Sequence, residues 1–159
     1  MIKRAIAALI VLIITLLSTA FAEEDMVRYI LCNPSITNHV AVRRSPKRKS
    51  EEIGRLDCGD MIYTDGKTKN NYLHIYGITE YGEGWVHLGY IVNDAPIIER
   101  CNGYIAGNGR VKARRHIGGR RNYWLKLGDD VKIYARSEEW AVTNKGFVKT
   151  EYLDIWYGE

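Results

Sequence analysis

The chain has little of what helical or nucleic-acid-binding proteins need. Beyond the first 22 residues alanine and leucine are scarce, and no stretch repeats apolar residues at the helical spacing. This composition argues against a helical bundle and favours β structure. The formal net charge is only +4, and Lys3 and Arg4 supply two of those charges. So small a basic excess argues against wholesale binding of nucleic acid.

Patterns typical of metal or phosphate sites are missing too. The chain has four histidines, which are His39, His74, His87 and His116. They form neither an H-x-x-H nor an H-E-x-x-H spacing, so we expect no metal and no cofactor. Residues 65–68 contain a G-K-T fragment, but Met61 stands where a phosphate-binding loop needs its first glycine. We therefore interpret this fragment as a hairpin turn.

The N-terminus has the layout of a secretory signal peptide. Lys3 and Arg4 precede the apolar run from Ala5 to Leu17, and residues 18–22 form an A-x-A cleavage position before three acidic residues. We predict that residues 1–22 are a helical signal peptide removed on export, with an uncleaved anchor as the alternative. No cysteine follows the cleavage position, which argues against a bacterial lipoprotein. The mature chain is expected to be secreted, without a stable membrane span.

Short runs of alternating polarity recur along the mature chain, separated by turn residues. The clearest runs lie at residues 40–43, 61–64, 72–76, 85–87, 131–134 and 140–142. Proline is limited to three positions, and Pro46 and Pro96 fall between runs. Short strands with regular turn signals predict an all-β fold, either a small sandwich or a barrel.

Internal matches indicate that the mature chain contains two copies of one unit. Five motifs return in the same order 62 to 71 residues later. The matched pairs are Cys32-Asn33 with Cys101-Asn102, 40–44 with 111–115, 56–60 with 125–129, 84–86 with 146–148, and 88–91 with 150–153. The repetition predicts one domain at 23–92, a linker at 93–99 and a second domain at 100–159.

The repeated unit resembles the bacterial SH3-like domain. The motifs that carry this resemblance in the first copy are Val40-Ala41-Val42-Arg43, Ile53-Gly54-Arg55-Leu56, Gly59, Met61-Ile62-Tyr63, Tyr72-Leu73-His74-Ile75, Gly84-Trp85-Val86 and Tyr90. The second copy keeps the arginine strand, Trp140 and Tyr152, but it lacks the I-G pair and has Phe147 in place of the usual tryptophan. The resemblance implies two tandem SH3-like β-barrels, closed so that sheet edges are removed.

The same resemblance implies a function and partners. Such modules bind the bacterial cell envelope without catalysis, so peptidoglycan or an anionic cell-wall polymer is the expected partner. The alternative is an extracellular adaptor or accessory factor whose surfaces bind another protein. Neither interpretation requires a cofactor, nucleic acid or enzymatic activity.

Three cysteines in an exported chain allow a disulfide. Cys32 and Cys58 both lie in the first copy, whereas Leu127 stands where the second copy would carry the equivalent of Cys58. We predict a Cys32–Cys58 bridge, which would stabilise the fold by about 3–4 kcal/mol. A Cys32–Cys101 bridge and the absence of any bridge remain alternatives.

One motif suggests catalysis. Asp57-Cys58-Gly59 is faintly similar to the D-C-S-G nucleophile motif of secreted cysteine peptidases that cleave cell-wall peptides. The serine is absent, and no helical pattern follows to lower the pKa of the thiol. We therefore expect a turn cysteine and not a nucleophile.

Basic residues concentrate after the first strand of each copy. Five of the seven residues from Arg43 to Lys49 are basic, as are six of the twelve from Arg110 to Arg121. The equivalent loop lines the ligand groove in SH3-like domains, so the resemblance implies an anion-binding site with aromatic neighbours. The candidate ligand-binding residues are Arg43, Arg44, Lys47, Arg48, Tyr72, Tyr76, Trp85, Arg114, Arg115, Arg120, Arg121, Trp124 and Trp140. The simpler alternative is a pair of solvated loops that keep the protein soluble.

Overall fold

A computed structural model describes residues 26–33, 39–77, 82–107 and 109–156. Apart from two short 3₁₀ turns, all regular structure in these ranges is β-strand, as the sequence predicts. The predicted signal peptide at 1–22 lies outside the described residues. Within the described ranges, no helix has the length and apolarity needed to cross a membrane.

The first half of the chain forms an eight-stranded antiparallel sheet. Its strands are β1 (Met26–Ile30), β2 (His39–Arg43), β3 (Glu52–Asp57), β4 (Met61–Thr64), β5 (Thr68–Lys69), β6 (Tyr72–Tyr76), β7 (Glu83–His87) and β8 (Ile91–Val92). The spatial order is β3-β2-β7-β6-β4-β1-β8, with β5 paired to β6. A 3₁₀ turn at Leu88–Tyr90 joins β7 to β8.

The second half forms a seven-stranded antiparallel sheet. Its strands are β9 (Cys101–Ile105), β10 (Val111–Arg114), β11 (Arg121–Leu125), β12 (Asp130–Arg136), β13 (Trp140–Thr143), β14 (Gly146–Lys149) and β15 (Leu153–Trp156). The order β11-β10-β14-β13-β12-β9-β15 matches the first sheet strand for strand once β5 is left out. A 3₁₀ turn at Thr150–Tyr152 precedes the last strand.

The two sheets differ from the closed barrels expected from the sequence, because each ladder is an open path. Among the described residues, β3 and β8 end the first path, and β11 and β15 end the second. Each of these four strands pairs on one side only, and β8 has just two residues. Sheet edges therefore persist in both halves.

A tight turn occupies the same place in each half. Gly59 and Gly128 have φ angles of 96° and 82°, a region that favours glycine because it lacks a Cβ atom. The following aspartate closes the turn in both cases. Asp60 Oδ2 accepts a 2.7 Å hydrogen bond from the backbone N–H three residues earlier, and Asp129 Oδ2 does the same at 2.7 Å.

One of the sequence matches is wrong in the structure. The glycine N–H of each tight turn donates to the carbonyl of the residue that ends the first strand of its sheet. This residue is Ile30 of β1 in the first half and Ile105 of β9 in the second, and the distance is 2.8 Å in both. Ile30 and Ile105 are therefore equivalent. Cys32 follows β1 whereas Cys101 begins β9, so these two cysteines do not correspond.

Three apolar clusters hold the described residues together. The first lies within the first sheet and includes Val42, Ile62 and Val86, and the second lies within the second sheet and includes Ile105 and Ile133. The third joins the halves. Its buried members are Leu31, Val92, Ala135, Trp140, Val142 and Phe147.

Hydrogen bonds reinforce this junction. Ile97, in the predicted linker 93–99, exchanges two backbone hydrogen bonds with Arg136 of β12, at 2.8 and 2.9 Å. Asp94 Oδ2 accepts a 2.7 Å bond from the backbone N–H of Glu138. The linker is thus bonded to the second half at two points, Asp94 and Ile97.

Candidate functional site

A groove of about 740 Å³ lies where the two halves meet, and we name it the junction groove. Strands β2, β6 and β7 supply its first wall, and the loop between β10 and β11 supplies the second. The lining residues are His39, Val40, Ala41, Arg43, Pro46, Lys47, Arg48, Asn70, Tyr72, His87, Tyr90, Arg115 and His116. None of these described lining residues is acidic.

The loop between β2 and β3, residues 44–51, brings cations to the groove. The loop is internally bonded, because Ser45 N–H donates to Ser50 Oγ at 2.9 Å and Arg43 Nη1 donates to the Ser50 carbonyl at 2.7 Å. Its proline, Pro46, is buried, and the Pro46 carbonyl accepts a 3.2 Å bond from the Asn70 side chain. This anchoring leaves the neighbouring lysine and arginine exposed at the groove rim.

Four rings form the groove floor. Tyr72 meets His87 edge to face, with ring centroids 5.2 Å apart. The His87 ring also lies 4.8 Å from that of His116. Tyr90 lies about equally far from the two imidazoles, at 5.9 and 6.0 Å. Three of these rings belong to the first half and one to the second, so the floor exists only when the halves are docked.

Two glycines make room for the ring that crosses the junction. A Cβ atom on Gly89 would lie 2.4 Å from His116 Nδ1, and a Cβ atom on Gly119 would lie 2.7 Å from the same nitrogen. The chain is also bonded here, since Ile117 N–H donates to the Gly89 carbonyl at 2.9 Å. His116 therefore sits between two backbone segments that only glycine allows to approach so closely.

The surroundings of His87 favour the uncharged form of its imidazole. Burial, together with the charge of His116, lowers the pKa of His87 below its ordinary value. His87 Nδ1 accepts a 3.1 Å hydrogen bond from Gly89 N–H, which protonation of that nitrogen would break. Burial likewise raises the pKa of Tyr90. At neutral pH His87 and Tyr90 are thus uncharged beneath a cationic rim.

Five of the sequence-predicted site residues line the groove. They are Arg43, Lys47, Arg48, Tyr72 and Arg115. The prediction missed His87, Tyr90 and His116, because the histidines were tested only against metal-binding spacings. The signal was present for two of them, since His87 directly follows the G-W-V motif and Tyr90 is the closing tyrosine of the first copy.

The other predicted basic residues lie outside the groove. Arg44 is exposed and pairs with Glu51, Nε to Oε2, at 2.6 Å, an interaction that lowers the pKa of Glu51. The segment from Arg110 to Arg121 is not one loop, because β10 and β11 occupy its two ends and only residues 115–120 connect them. Arg114 accordingly lies in β10, where its Nη1 donates to the Gly119 carbonyl at 2.8 Å. Arg120 is exposed in the connecting segment.

The predicted aromatic residues separate into different environments. Trp140 is buried in the junction cluster, with 8% of its surface exposed, and lies outside the groove, so its role as a ligand-binding residue stays a prediction. Trp85 lies on β7 with its ring 5.1 Å from that of His74, and Tyr76 ends β6 opposite Tyr63. Neither Trp85 nor Tyr76 reaches the groove.

One predicted pair does come together away from the groove. The Arg121 guanidinium lies 4.7 Å from the centre of the Trp124 ring on β11. Both side chains are exposed. The described structure therefore holds two separate groups of predicted residues, one at the junction and one on the edge of the second sheet.

The cysteines are all free thiols in the structure. Cys58 Sγ donates to the Cys32 carbonyl at 3.1 Å and accepts from the Cys32 N–H at 3.2 Å, whereas Cys101 lies in the core of the second half. The hydrogen bond from the Cys32 thiol lowers the pKa of Cys58 to about 7, and it raises the pKa of Cys32. The Cys32–Cys58 disulfide stays a prediction.

Comparison with known proteins gives distant fold neighbours only. No family profile matches the chain, and no curated protein matches it in sequence. A solved structure of NlpC1 from Trichomonas vaginalis is similar at 12% identity and a TM-score of 0.37, covering 87% of this chain and 48% of that one. NlpC2 from the same organism is similar at 11% identity and 0.36, covering 86% and 49%. The chain spans about half the length of these two proteins.

Proposed function

We propose that the protein is a secreted, non-enzymatic tandem SH3-like module whose junction groove binds an anionic polymer of the bacterial cell wall or its peptides. The observation that carries this proposal is the charge of the groove. Arg43, Lys47, Arg48 and Arg115 line it, and no acidic side chain does so in the described part of the chain. A groove of one charge sign selects ligands of the opposite sign.

The shape and chemistry of the groove fit such a polymer. Its volume of about 740 Å³ lies within the range of small-ligand sites. Arginine forks at the rim suit phosphate or carboxylate groups, which they bind with two parallel hydrogen bonds. The half-buried Tyr90 ring of the floor offers flat surface to a sugar ring or a peptide unit.

The absence of catalysis belongs to the same proposal. Cys58, the candidate nucleophile, lies in the turn between β3 and β4, and its described hydrogen bonds are with Cys32. A cysteine nucleophile is normally paired with a base such as histidine. The short distance to Cys32 supports a thiol pair with a structural role.

Binding to purified sacculi tests the groove. The variant Lys47→Ser/Arg48→Ser removes two rim cations, and its control Arg44→Ser/Arg120→Ser removes two arginines that lie outside the groove. Because the two variants have equal net charge, a loss of binding confined to the first assigns the effect to the groove and not to overall charge. Binding should also weaken as salt rises and when anionic polymers are stripped from the sacculi.

Equal losses of sacculus binding in both variants, or binding that does not change with salt, would contradict the proposal.

The predicted secretion of the protein has its own test. Mature protein recovered outside the cell should begin at Glu23, directly after the predicted cleavage position. Full-length protein retained in the membrane fraction would instead support the anchor.

A further inference from the structure

The free edge of the second sheet differs from its counterpart in the first. Strands β3 and β11 occupy the same end of the two paths, and each pairs only with the strand before it in the sequence. In β3 two positions are buried and the exposed ones are charged, with Arg55 Nε bonded to Glu52 Oε1 at 2.7 Å. Charged side chains of both signs on an edge discourage pairing with another strand.

Strand β11 carries no such protection. Its first four residues, Arg121 to Trp124, are all exposed, and only Leu125 is buried. Tyr123 and Trp124 expose 51% and 41% of their surface. Within the described ranges, its backbone makes ladder hydrogen bonds to β10 alone. The outer row of N–H and C=O groups therefore stands open beside two large exposed rings.

Three cations lie beside these rings. Arg121 and Lys112 lie 4.7 and 5.6 Å from the centre of the Trp124 ring, and Lys145 lies 6.0 Å from that of Tyr123. No carboxylate of the described residues forms an ion pair with these three cations, since the salt bridges that occur involve other residues. An occupant of this edge meets unneutralised positive charge.

We propose that β11 is a docking edge for an acidic, extended segment of a partner protein, which adds to the second sheet as a further strand. Backbone hydrogen bonds along the open edge give such a complex its affinity. Acidic side chains on one face of the added strand neutralise Arg121 and Lys112, which lie beside Trp124, and alternate apolar side chains on its opposite face cover Tyr123. This surface is separate from the junction groove and gives the adaptor interpretation of the sequence a location.

Fluorescence anisotropy with a labelled probe peptide tests the edge. The probe is a peptide of about ten residues in which glutamate and valine alternate, long enough to cover a strand. The first comparison peptide has lysine in place of glutamate. The second keeps every glutamate but replaces alternate valines with proline, so that it retains the charge, loses the backbone N–H at those positions and is held there at a φ of about −65° that interrupts a regular strand. The full mature chain should bind the first peptide and neither of the others.

Two protein variants locate the binding. Trp124→Ala should weaken affinity for the glutamate–valine peptide by roughly fivefold or more, because it removes the larger exposed ring. The control is Arg55→Ala at the matched position of β3, since Leu56 and Leu125 are the corresponding next residues; it should change affinity by less than about twofold. Both positions are exposed, so both variants should fold.

Three outcomes would overturn the inference. Equal binding of the proline peptide shows charge attraction without strand addition. Equal weakening by the two variants shows that the edge of the second sheet is not the site. A dimer of the free protein in sedimentation that Trp124→Ala abolishes shows that a second copy, and not an acidic partner, occupies β11. The sacculus-binding experiment tests the junction groove separately, and its outcome does not depend on any of these three results.

Discussion

Trp85 and Phe147 occupy the same position in the two sheets and have different surroundings. Each lies on the strand that pairs with the arginine strand, Trp85 opposite Arg43 and Phe147 opposite Arg114. Trp85 is half-buried beside His74 on the outside of the first half, whereas Phe147 is 3% exposed and packs in the junction cluster. The ladder fixes the position of a residue, and the neighbouring half decides whether it is buried.

The buried cores of the two halves also differ in how much they rely on the junction. Val42 and Ala113 are equivalent and both fully buried, so the second half carries the smaller side chain inside its own sheet. Its two buried aromatic residues, Trp140 and Phe147, lie in the cluster shared with the first half. The second half thus depends on the junction for a larger part of its apolar burial.

The largest expected effect comes from truncating the two equivalent aromatics. Phe147→Ala should lower the free energy of unfolding by about 3–5 kcal/mol, because it leaves a cavity in the junction cluster. Trp85→Ala should cost clearly less, since its ring is already partly in water. Urea denaturation of the two variants measures the difference. Equal losses would show that the junction adds nothing to the burial of Phe147.

The next effect concerns the close approach at His116. Gly89→Ala should destabilise the protein by about 1–3 kcal/mol, because the new Cβ overlaps the imidazole. Adding His116→Ala should restore part of that loss, since the overlap disappears with the ring. The thermal midpoints of the two single variants and the double variant give the coupling. Strictly additive losses would place the conflict elsewhere in the backbone.

A smaller effect is expected from pH. The unfolded chain takes up a proton at His87 as pH falls through 6.5, whereas the folded chain binds it only at lower pH because its pKa is lowered. Stability from this group is therefore complete above pH 6.5 and decreases below it. The fall in thermal midpoint between pH 7.5 and 5 should be smaller in His87→Gln than in the parent. An equal fall in the thermal midpoint of the two proteins would contradict this assignment to His87.

The smallest effect leaves stability untouched and concerns the thiols. With its pKa lowered to about 7, Cys58 should react with iodoacetamide at half its maximal rate near that pH. Cys101 should react slowly throughout, because burial raises the pKa of its thiol. Peptide mapping of the labelled, reduced protein separates the sites. Labelling of Cys101 ahead of Cys58 would contradict this assignment, and absence of labelling at Cys32 and Cys58 before reduction would support their predicted disulfide.

Much of the fold could be predicted from local pattern. Alternating runs marked β2, β4, β7 and β12 correctly, because period-two polarity reflects a sheet with one buried face. Strands β1 and β9 were missed. The false pairing of Cys32 with Cys101 hid their equivalence, since a shared dipeptide carries no information on ladder register.

The candidate site was only half predictable. Charge density along the chain predicted that Lys47 and Arg48 lie at the surface, because loops that carry many charges stay there, and both side chains are exposed. The burial of Trp140 could not be predicted, since an aromatic residue beside a turn looks the same in sequence whether water or another sheet covers it. His116 could not be anticipated, because its neighbours in the groove come from the other half of the chain.

By itself the sequence determined the all-β class, the position of the tight turns at Gly59 and Gly128, and the surplus of cations after β2. These are local properties, set by side-chain periodicity, by the backbone freedom of glycine and by the cost of burying charge. Only the tertiary structure decided which aromatic residues face water and that His87 and His116 meet. It also decided that, among the described residues, β11 pairs on one side only, and that exposed charges of both signs lie on β3 at the matching edge. Those outcomes depend on how two sheets pack together, and packing is a relation between segments distant in sequence that no local pattern records.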